Sequence, residues 1–228
     1  MAQALAGSTN QQVDNFGRLR AIDAVLVIGG SLLMAACAHI SIPLWFTPVP
    51  ITLQTFGVIF LGLTLGGWRA SAALVLYLVE GMSGLPVFSP HGLGGVAQVL
   101  GPTGGYLMSY PFAALVAGLI ADKLSRRSRL IAFSLGAMAC STVVFALGAF
   151  WLATLIHKPA STIFAIAVLP FVPGEVLKSI AAIAAAIGSN RILSQTSHQI
   201  FILNRYTGKH YVQFRFVYFF QPPVSSGS

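Results

Sequence analysis

Apolar residues in this chain come in long runs, separated by short joints that are polar or rich in glycine and proline. Several runs approach the ~20 residues that an α-helix needs to cross the hydrocarbon core of a bilayer. The joints divide the chain into six predicted spans, at roughly residues 22–42, 51–66, 69–82, 103–122, 130–156 and 162–194. We therefore predict an all-α membrane protein, a six-transmembrane-helix bundle over residues 21–195, with a polar N-terminal tail (1–20) and an atypical C-terminal tail (196–228).

Composition supports a membrane protein with little room for a large soluble domain. Of the 228 residues, 56% are hydrophobic and only 8% are charged, whereas a soluble domain carries about 25% charged residues. No small-residue cleavage site follows the first apolar run, so we interpret that run as a retained span rather than a signal peptide. The two cysteines, Cys37 and Cys140, lie in apolar runs and are predicted to be core residues.

The distribution of charge predicts the orientation. The formal net charge is +8, which in a soluble protein would suggest nucleic acid. Here the basic residues lie in short loops, where they favour a membrane topology and anionic lipid, so no nucleic-acid partner is expected. One side of the predicted bundle carries Arg18, Arg20, Arg69, Lys123, Arg126, Arg127, Arg129 and Arg191. The other side keeps only Lys158, so we predict that both termini are cytoplasmic.

The last span is interrupted near the predicted external face by the sequence PFVPGEVLK, residues 170–178. Two prolines and a glycine break the helix, and Glu175 and Lys178 then follow three positions apart, on one helix face. Broken helices at membrane depth are tolerated where they pack in protein or line a cavity. The pair either neutralises itself as an internal ion pair or binds a ligand. We favour the ligand, because intramembrane charges are costly and usually functional.

Three other stretches supply candidate pocket residues. In VLGPTGGY (99–106), Thr103 and Tyr106 either support close helix packing at the glycines or reach a pocket. The amide of Gln54 either bonds an exposed carbonyl or lines the same pocket. Phe88 is either an interfacial anchor or an apolar wall of a ligand site. No cluster of Cys, His, Asp and Glu has metal-ligand spacing, so no metal, cofactor or catalytic residue is predicted.

Two further features concern partners. Small residues at Ser31, Ala35 and Ala38 share a face of the first span, and such a face packs either within the chain or against a partner subunit. The C-terminal tail contains YVQFRFVYFFQ, whose alternation is closer to a strand than to a helix. It is either an appended tail or a partner-binding strand.

Four motifs, in order, resemble those of the BioY family, the biotin-specific substrate-binding (S) components of energy-coupling factor (ECF) transporters. They are TPVPITLQTFGV (47–58), GLPVF (84–88), GPTGGYL (101–107) and PFVPGEVLK (170–178). The resemblance covers about residues 20–195. It implies a six-helix bundle in the bacterial inner membrane that captures biotin near the external face. It also implies a transmembrane coupling subunit and two ATPase subunits as partners. In such systems the ATPases hydrolyse ATP, and the S component is not an enzyme.

Carried onto this chain, the resemblance implies that Glu175 and Lys178 are polar ligands for biotin. The family usually has Asp where Glu175 stands, so this chain has one extra methylene there. The other candidates within the matched motifs are Gln54, Phe88, Thr103 and Tyr106. The family also assigns the small-residue face of the first span to the coupling subunit.

Two alternatives stay open at this level. The chain could be an S component for another small water-soluble vitamin. In a different class, it could be an intramembrane enzyme that uses Glu175 as an acid or base. The absence of a second catalytic carboxylate, a nucleophile or a metal cluster in the sequence argues against an enzyme.

Overall fold

α-Helices account for most of the chain in the computed structural model, which describes residues 2–125 and 128–207, with side chains for 20–125 and 128–189. The elements are α1 (Ala2–His39), β1 (Ser41–Ile42), β2 (Ile51–Thr52), α2 (Gln54–Leu65), α3 (Gly67–Met82), α4 (Gly95–Leu100), α5 (Gly104–Leu124), α6 (Arg129–Ile156), α7 (Ala160–Ala167) and α8 (Val172–Thr207), with a 3₁₀ turn at Leu169–Phe171 between α7 and α8. The helical fold class is confirmed.

Four stretches are long and apolar enough to cross a membrane: Arg20–His39, Gly104–Leu124, Arg129–Ile156 and Ala160–Ser189. The chain is therefore a multi-pass membrane protein. Helix α2 is apolar but has only 12 residues, which at 1.5 Å per residue reach ~18 Å, short of the ~30 Å hydrocarbon core. The count of six spans stays a prediction for this reason.

Parts of both predicted tails are helical and belong to the first and last helices. Helix α1 starts at Ala2 and so includes the N-terminal polar segment, and α8 continues past residue 194 to Thr207. Residues 196–207 of the predicted C-terminal tail are helical and belong to α8. The alternating stretch YVQFRFVYFFQ lies outside the described residues.

A small hairpin lies between α1 and α2 and leaves the all-α class unchanged. The prolines of SIPLWFTPVP, residues 41–50, are poor helix formers, and the two ends of this loop pair as an antiparallel ladder instead. Ser41 lies opposite Thr52, and Ile42 lies opposite Ile51. The hairpin holds the start of α2 beside the end of α1.

Helix α5 packs against α2, α3 and α6 along its length. Its inner face is made of small buried residues: Ala113, Ala114, Ala117, Gly118 and Ala121. Small side chains let helix backbones approach closely where lipid gives no hydrophobic driving force. At Gly118 the approach is so close that a Cβ would lie 2.1 Å from the backbone nitrogen of Gly67.

Segment 83–102 folds back onto the helices. Phe88 is buried, and its ring lies edge-on to Tyr77 with the centroids 5.3 Å apart. It occupies the space over Gly81, where a Cβ would lie 2.1 Å from the ring. The Ser89 hydroxyl donates to the Ser41 hydroxyl over 3.0 Å. The segment is thereby attached to both α3 and the hairpin.

We expect Gly118→Ala to lower the stability of the protein by about 1–3 kcal/mol, because the new methyl group must displace the backbone of the neighbouring helix. Thermal unfolding in detergent, followed by circular dichroism, measures the effect. The matched control is Gly29→Ala, since no atom lies within 4 Å of a Cβ at Gly29. Removing a helix glycine there is expected to be neutral or to stabilise by up to ~1 kcal/mol. Equal unfolding temperatures for the two variants would contradict the packing described.

Candidate ligand-binding site

The break in the last span positions the charged pair. Helix α7 ends at Ala167, the 3₁₀ turn holds Pro170, and α8 begins at Val172 with Pro173 as its second residue. Proline is tolerated there because the first backbone N–H groups of a helix have no intrahelical partner. Helix α8 therefore starts two residues before Gly174. Glu175 falls in the first turn of α8, where the helix dipole favours a negative charge.

Glu175 and Lys178 form an ion pair inside the protein. The Lys178 Nζ atom lies 3.0 Å from Oε2 of Glu175, and the two side chains are only 14% and 6% exposed, respectively. An unpaired charge at such a depth would cost several kcal/mol. Each charge is therefore tolerated only because the other lies beside it. Both charged groups also need further hydrogen bonds in place of those that water would supply.

Those hydrogen bonds come from neighbouring elements. The Thr55 hydroxyl donates to Oε2 of Glu175 over 2.7 Å and accepts from Lys178 Nζ over 2.6 Å. The Ser141 hydroxyl of α6 donates to Oε1 over 2.7 Å. Lys178 also donates to the Thr52 carbonyl over 3.2 Å. The pair thus joins α2, α6 and α8 at one point.

Sequence reasoning missed Thr55 and Ser141. Thr55 could have been found, because it lies one residue after Gln54 within the motif TPVPITLQTFGV and three residues after Thr52. Ser141 gives no such signal. It stands in an apolar run beside Cys140, and only the packing of α6 against α8 brings it to the carboxylate.

A cavity opens beside the ion pair. Counted with the open space at its mouth, the room between its walls is about 570 Å³. Its lining includes Glu175 and Lys178, and also Gln54, Thr103 and Tyr106. The structure therefore brings together these five of the predicted site residues. Apolar walls come from Val144, Phe145 and Phe171.

Phe88 does not line this cavity. Its neighbour Ser89 does, whereas the Phe88 ring packs behind the wall against Tyr77 and Gly81. That Phe88 contacts a ligand stays a prediction. In this structure the ring fills the space over a glycine and fixes the segment in which Ser89 lies.

Several polar groups of the cavity wall are bonded to one another. Gln54 Nε2 donates to the Tyr77 hydroxyl over 2.9 Å. The Tyr106 hydroxyl donates to the Ala167 carbonyl over 2.7 Å, at the end of α7. Gln98, a buried residue of α4, donates to the Thr103 hydroxyl over 3.1 Å. Gln98 lines the cavity as well and was not predicted, because α4 lies in a segment that has no readable period.

The small-residue face of α1 packs within the chain. Ser31 and Ala38 are fully buried, Ala35 packs against the core, and the Ser31 hydroxyl donates to Oε2 of Glu80 in α3. In this structure Ser31 and Ala38 are not available to a partner subunit. Internal packing, the alternative considered for this face, describes both residues.

Metal ligation is not indicated in the part of the chain that the structure describes. No group of three or more His, Cys, Asp or Glu side chains comes together there. Cys37 and Cys140 are buried and unpaired by disulfide. The chemistry of the site is therefore that of one ion pair, hydroxyls and amides in an apolar surround, which suits a small polar molecule with an apolar body.

Long apolar helices around a part-enclosed polar cavity define a membrane protein with a candidate small-molecule site. Comparison of the sequence with known protein families gives its family. The model of the BioY family matches residues 9–195. The chain belongs to the BioY family.

Named relatives agree with this assignment. The chain is 35% identical to the probable biotin transporter BioY of Pyrococcus horikoshii, over 61% of this chain and 79% of the relative. It is 35% identical to the biotin transporter BioY of Thermotoga maritima, over 72% of this chain and 88% of the relative. It is 32% identical to the probable biotin transporter BioY of Bacillus subtilis, over 77% and 94%. These relatives are named as transporters, not enzymes.

A solved structure shares the fold. It is the S component for biotin from an ECF-type ABC transporter, with a TM-score of 0.70 and 25% sequence identity. The match covers 76% of this chain and 93% of the solved one.

We expect Thr55→Val to destabilise the protein by about 1–3 kcal/mol, because it removes one buried hydrogen-bond partner from each of Glu175 and Lys178. The substitution keeps the side-chain shape, so packing changes little. Thermal unfolding in detergent measures the loss. Thr142→Val is the matched control: Thr142 is exposed on α6 and bonds only the Met138 carbonyl of its own helix, over 2.8 Å. A loss in the control as large as in Thr55→Val would show that the hydroxyl network contributes nothing specific.

Proposed function

We propose that this chain is the substrate-binding S component of an ECF-type biotin transporter. It captures biotin from the external side and delivers it through partner subunits that hydrolyse ATP. The observation that carries the proposal is the buried Glu175–Lys178 pair at the wall of the cavity, 3.0 Å between charged atoms. Membership of the BioY family and the names of its relatives support biotin as the ligand.

The hydrogen-bonding capacity of the pair assigns different roles to the two residues. Lys178 has three N–H donors, and they face three acceptors: the Thr52 carbonyl, the Thr55 hydroxyl and Glu175. The carboxylate of Glu175 has about four acceptor positions and receives three donors, from Thr55, Lys178 and Ser141. Glu175 therefore keeps acceptor capacity for a ligand. Lys178 holds Glu175 in place and reaches a ligand only by exchanging a partner.

The chemistry of biotin fits this asymmetry. Its ureido ring carries two N–H donors and a carbonyl, its second ring is an apolar thioether, and its tail ends in a carboxylate. A ureido N–H would donate to Glu175, and the thioether ring would pack against Val144, Phe145 and Phe171. Gln54, Thr103 and Tyr106 complete the proposed site. No cofactor is proposed, since biotin is the cargo.

The proposed topology is a six-helix bundle in which α2 and α3 span the membrane together with the four longer stretches. Both termini are cytoplasmic, and the break between α7 and α8 lies near the external face. This places the hairpin and segment 83–102 outside as a cover. The ion pair between Arg69 and Asp23, 2.8 Å apart and part-exposed, then lies toward the cytoplasmic side. The proposed location is the bacterial inner membrane, with residues 21–195 as the binding domain.

The proposed partners are an ECF transmembrane coupling subunit and two ATPase subunits. The solved structure that shares the fold comes from an ECF-type ABC transporter, which supports such an assembly. Of the three residues predicted to contact a partner, Ala35 alone is part-exposed. A coupling contact on α1 would therefore use Ala35 and the exposed side chains beside it.

Radiolabelled biotin is expected to bind the purified protein saturably, near one per chain. Glu175→Gln is expected to weaken binding about 10- to 100-fold, since a hydrogen bond to a charged group contributes ~1.5–3 kcal/mol. Lys178→Met is expected to weaken it as well, because Glu175 loses the cation that holds it in place. Equilibrium binding to the detergent-solubilised protein measures both.

Matched controls separate the site from general effects of lost charge. Glu80→Gln removes a carboxylate at the contact of α1 and α3, and Lys158→Met removes an exposed ammonium; neither residue lines the cavity. Both controls are expected to bind biotin as the wild type does. Glu175→Asp keeps the charge and is expected to retain binding, which makes the test independent of folding defects in Glu175→Gln. Wild-type affinity in Glu175→Gln and Lys178→Met would refute the site. No biotin binding by a folded wild type would refute the substrate and leave another water-soluble vitamin as the candidate.

A further inference from the structure

One buried polar group in the cavity wall has no role in the contacts described so far. Tyr110 lies one turn after Tyr106 on α5, is 4% exposed and lines the cavity. Among the residues that the structure describes, its hydroxyl makes no hydrogen bond.

The other two buried tyrosines make the contrast clear. The Tyr106 hydroxyl donates to the Ala167 carbonyl, and the Tyr77 hydroxyl accepts from Gln54. Each therefore fixes one part of the protein to another: Tyr106 joins α5 to the end of α7, and Tyr77 joins α3 to the start of α2. The Tyr110 hydroxyl makes no such link among the residues that the structure describes. A phenylalanine at position 110 would fill the same volume without a polar atom.

Leaving a buried hydroxyl without a partner costs about 1–3 kcal/mol. More than nine in ten buried polar groups in proteins are bonded, so an exception calls for an explanation. In a cavity wall beside a carboxylate, the simplest explanation is a partner that arrives with the ligand. The cost borne by the free protein then becomes a gain on binding.

We propose that the Tyr110 hydroxyl is a specificity-determining contact that donates a hydrogen bond to the ureido carbonyl of the bound ligand. The inference rests on the proposed function, since it takes biotin as that ligand. In a cyclic urea the carbonyl lies directly between the two N–H groups. A ring that donates one N–H to Glu175 therefore presents its carbonyl oxygen beside that carboxylate. This oxygen needs a hydrogen-bond donor from the protein. Tyr110 supplies that donor without adding a second charge.

The test is Tyr110→Phe, which removes one oxygen atom and keeps the ring. The variant is expected to be as stable as the wild type or more stable without ligand, because an unsatisfied group is gone. Its affinity for biotin is expected to fall about 10-fold or more, as for a lost hydrogen bond of ~1.4 kcal/mol. Thermal unfolding without ligand and equilibrium binding of radiolabelled biotin measure the two effects separately.

A second ligand identifies the atom that Tyr110 contacts. In 2-thiobiotin the ureido oxygen is replaced by sulfur, a weaker acceptor. The wild type is expected to prefer biotin over 2-thiobiotin, and this preference is expected to shrink toward one in Tyr110→Phe. Tyr106→Phe serves as the stability control: it breaks the bond to Ala167 and is expected to lower the unfolding temperature of the ligand-free protein.

The outcomes distinguish the inference from the function on which it rests. If the wild type binds biotin and Tyr110→Phe binds it equally well, the inference is overturned and the proposed function stands. If Tyr110→Phe loses as much ligand-free stability as Tyr106→Phe, the hydroxyl is bonded within the protein and the inference is again overturned. An unchanged preference over 2-thiobiotin would overturn the assignment to the ureido carbonyl. No biotin binding by the folded wild type overturns both proposals.

Discussion

The structure depends on one buried ion pair that cannot be left incomplete. Glu175 and Lys178 stand in an apolar surround where an unpaired charge would cost several kcal/mol. Their four further hydrogen bonds come from Thr52, Thr55 and Ser141. The ion pair therefore requires the hairpin, α2 and α6 to lie where they do. An error in any of these positions would leave a charged atom without a partner, so the pair selects one arrangement of the helices around it.

Close helix packing makes that arrangement possible. The alanines and glycines of α5 bring α2, α3 and α6 to within backbone contact, which sets the width of the bundle at its centre. The same helix begins with Gly104 and Gly105, where a Cβ would lie 1.8 Å from the Val99 carbonyl and 2.2 Å from Trp151, respectively. The glycines therefore serve packing. Thr103 and Tyr106, on either side of them, line the cavity.

The sequence was sufficient for the helical membrane class and for five residues of the cavity wall, because these depend on local signals. Charges in an apolar run, a proline-broken helix and a glycine-rich helix start can each be read from neighbouring residues. What the sequence could not supply depends on contacts between distant elements. Ser141 is separated from Glu175 by 34 positions and Thr55 by 120, and no local pattern marks Ser141 as a partner. The small face of α1 could be recognised, but only the structure shows that α3 already covers Ser31.

The contrast between the ion pair and Tyr110 indicates how a membrane-embedded site can exist before its ligand arrives. A charge must be satisfied at all times, because the cost of leaving it unpaired exceeds what a small domain can tolerate. A neutral hydroxyl costs only about 1–3 kcal/mol when unpaired, and a stable fold tolerates one such group. The protein therefore keeps Glu175 and Lys178 hydrogen-bonded within the chain. Its unused hydrogen-bonding capacity is on the neutral Tyr110 hydroxyl and on one free acceptor position of Glu175. In the proposed site, selectivity resides in the groups that are incomplete without ligand, while the groups that are complete keep the cavity in shape.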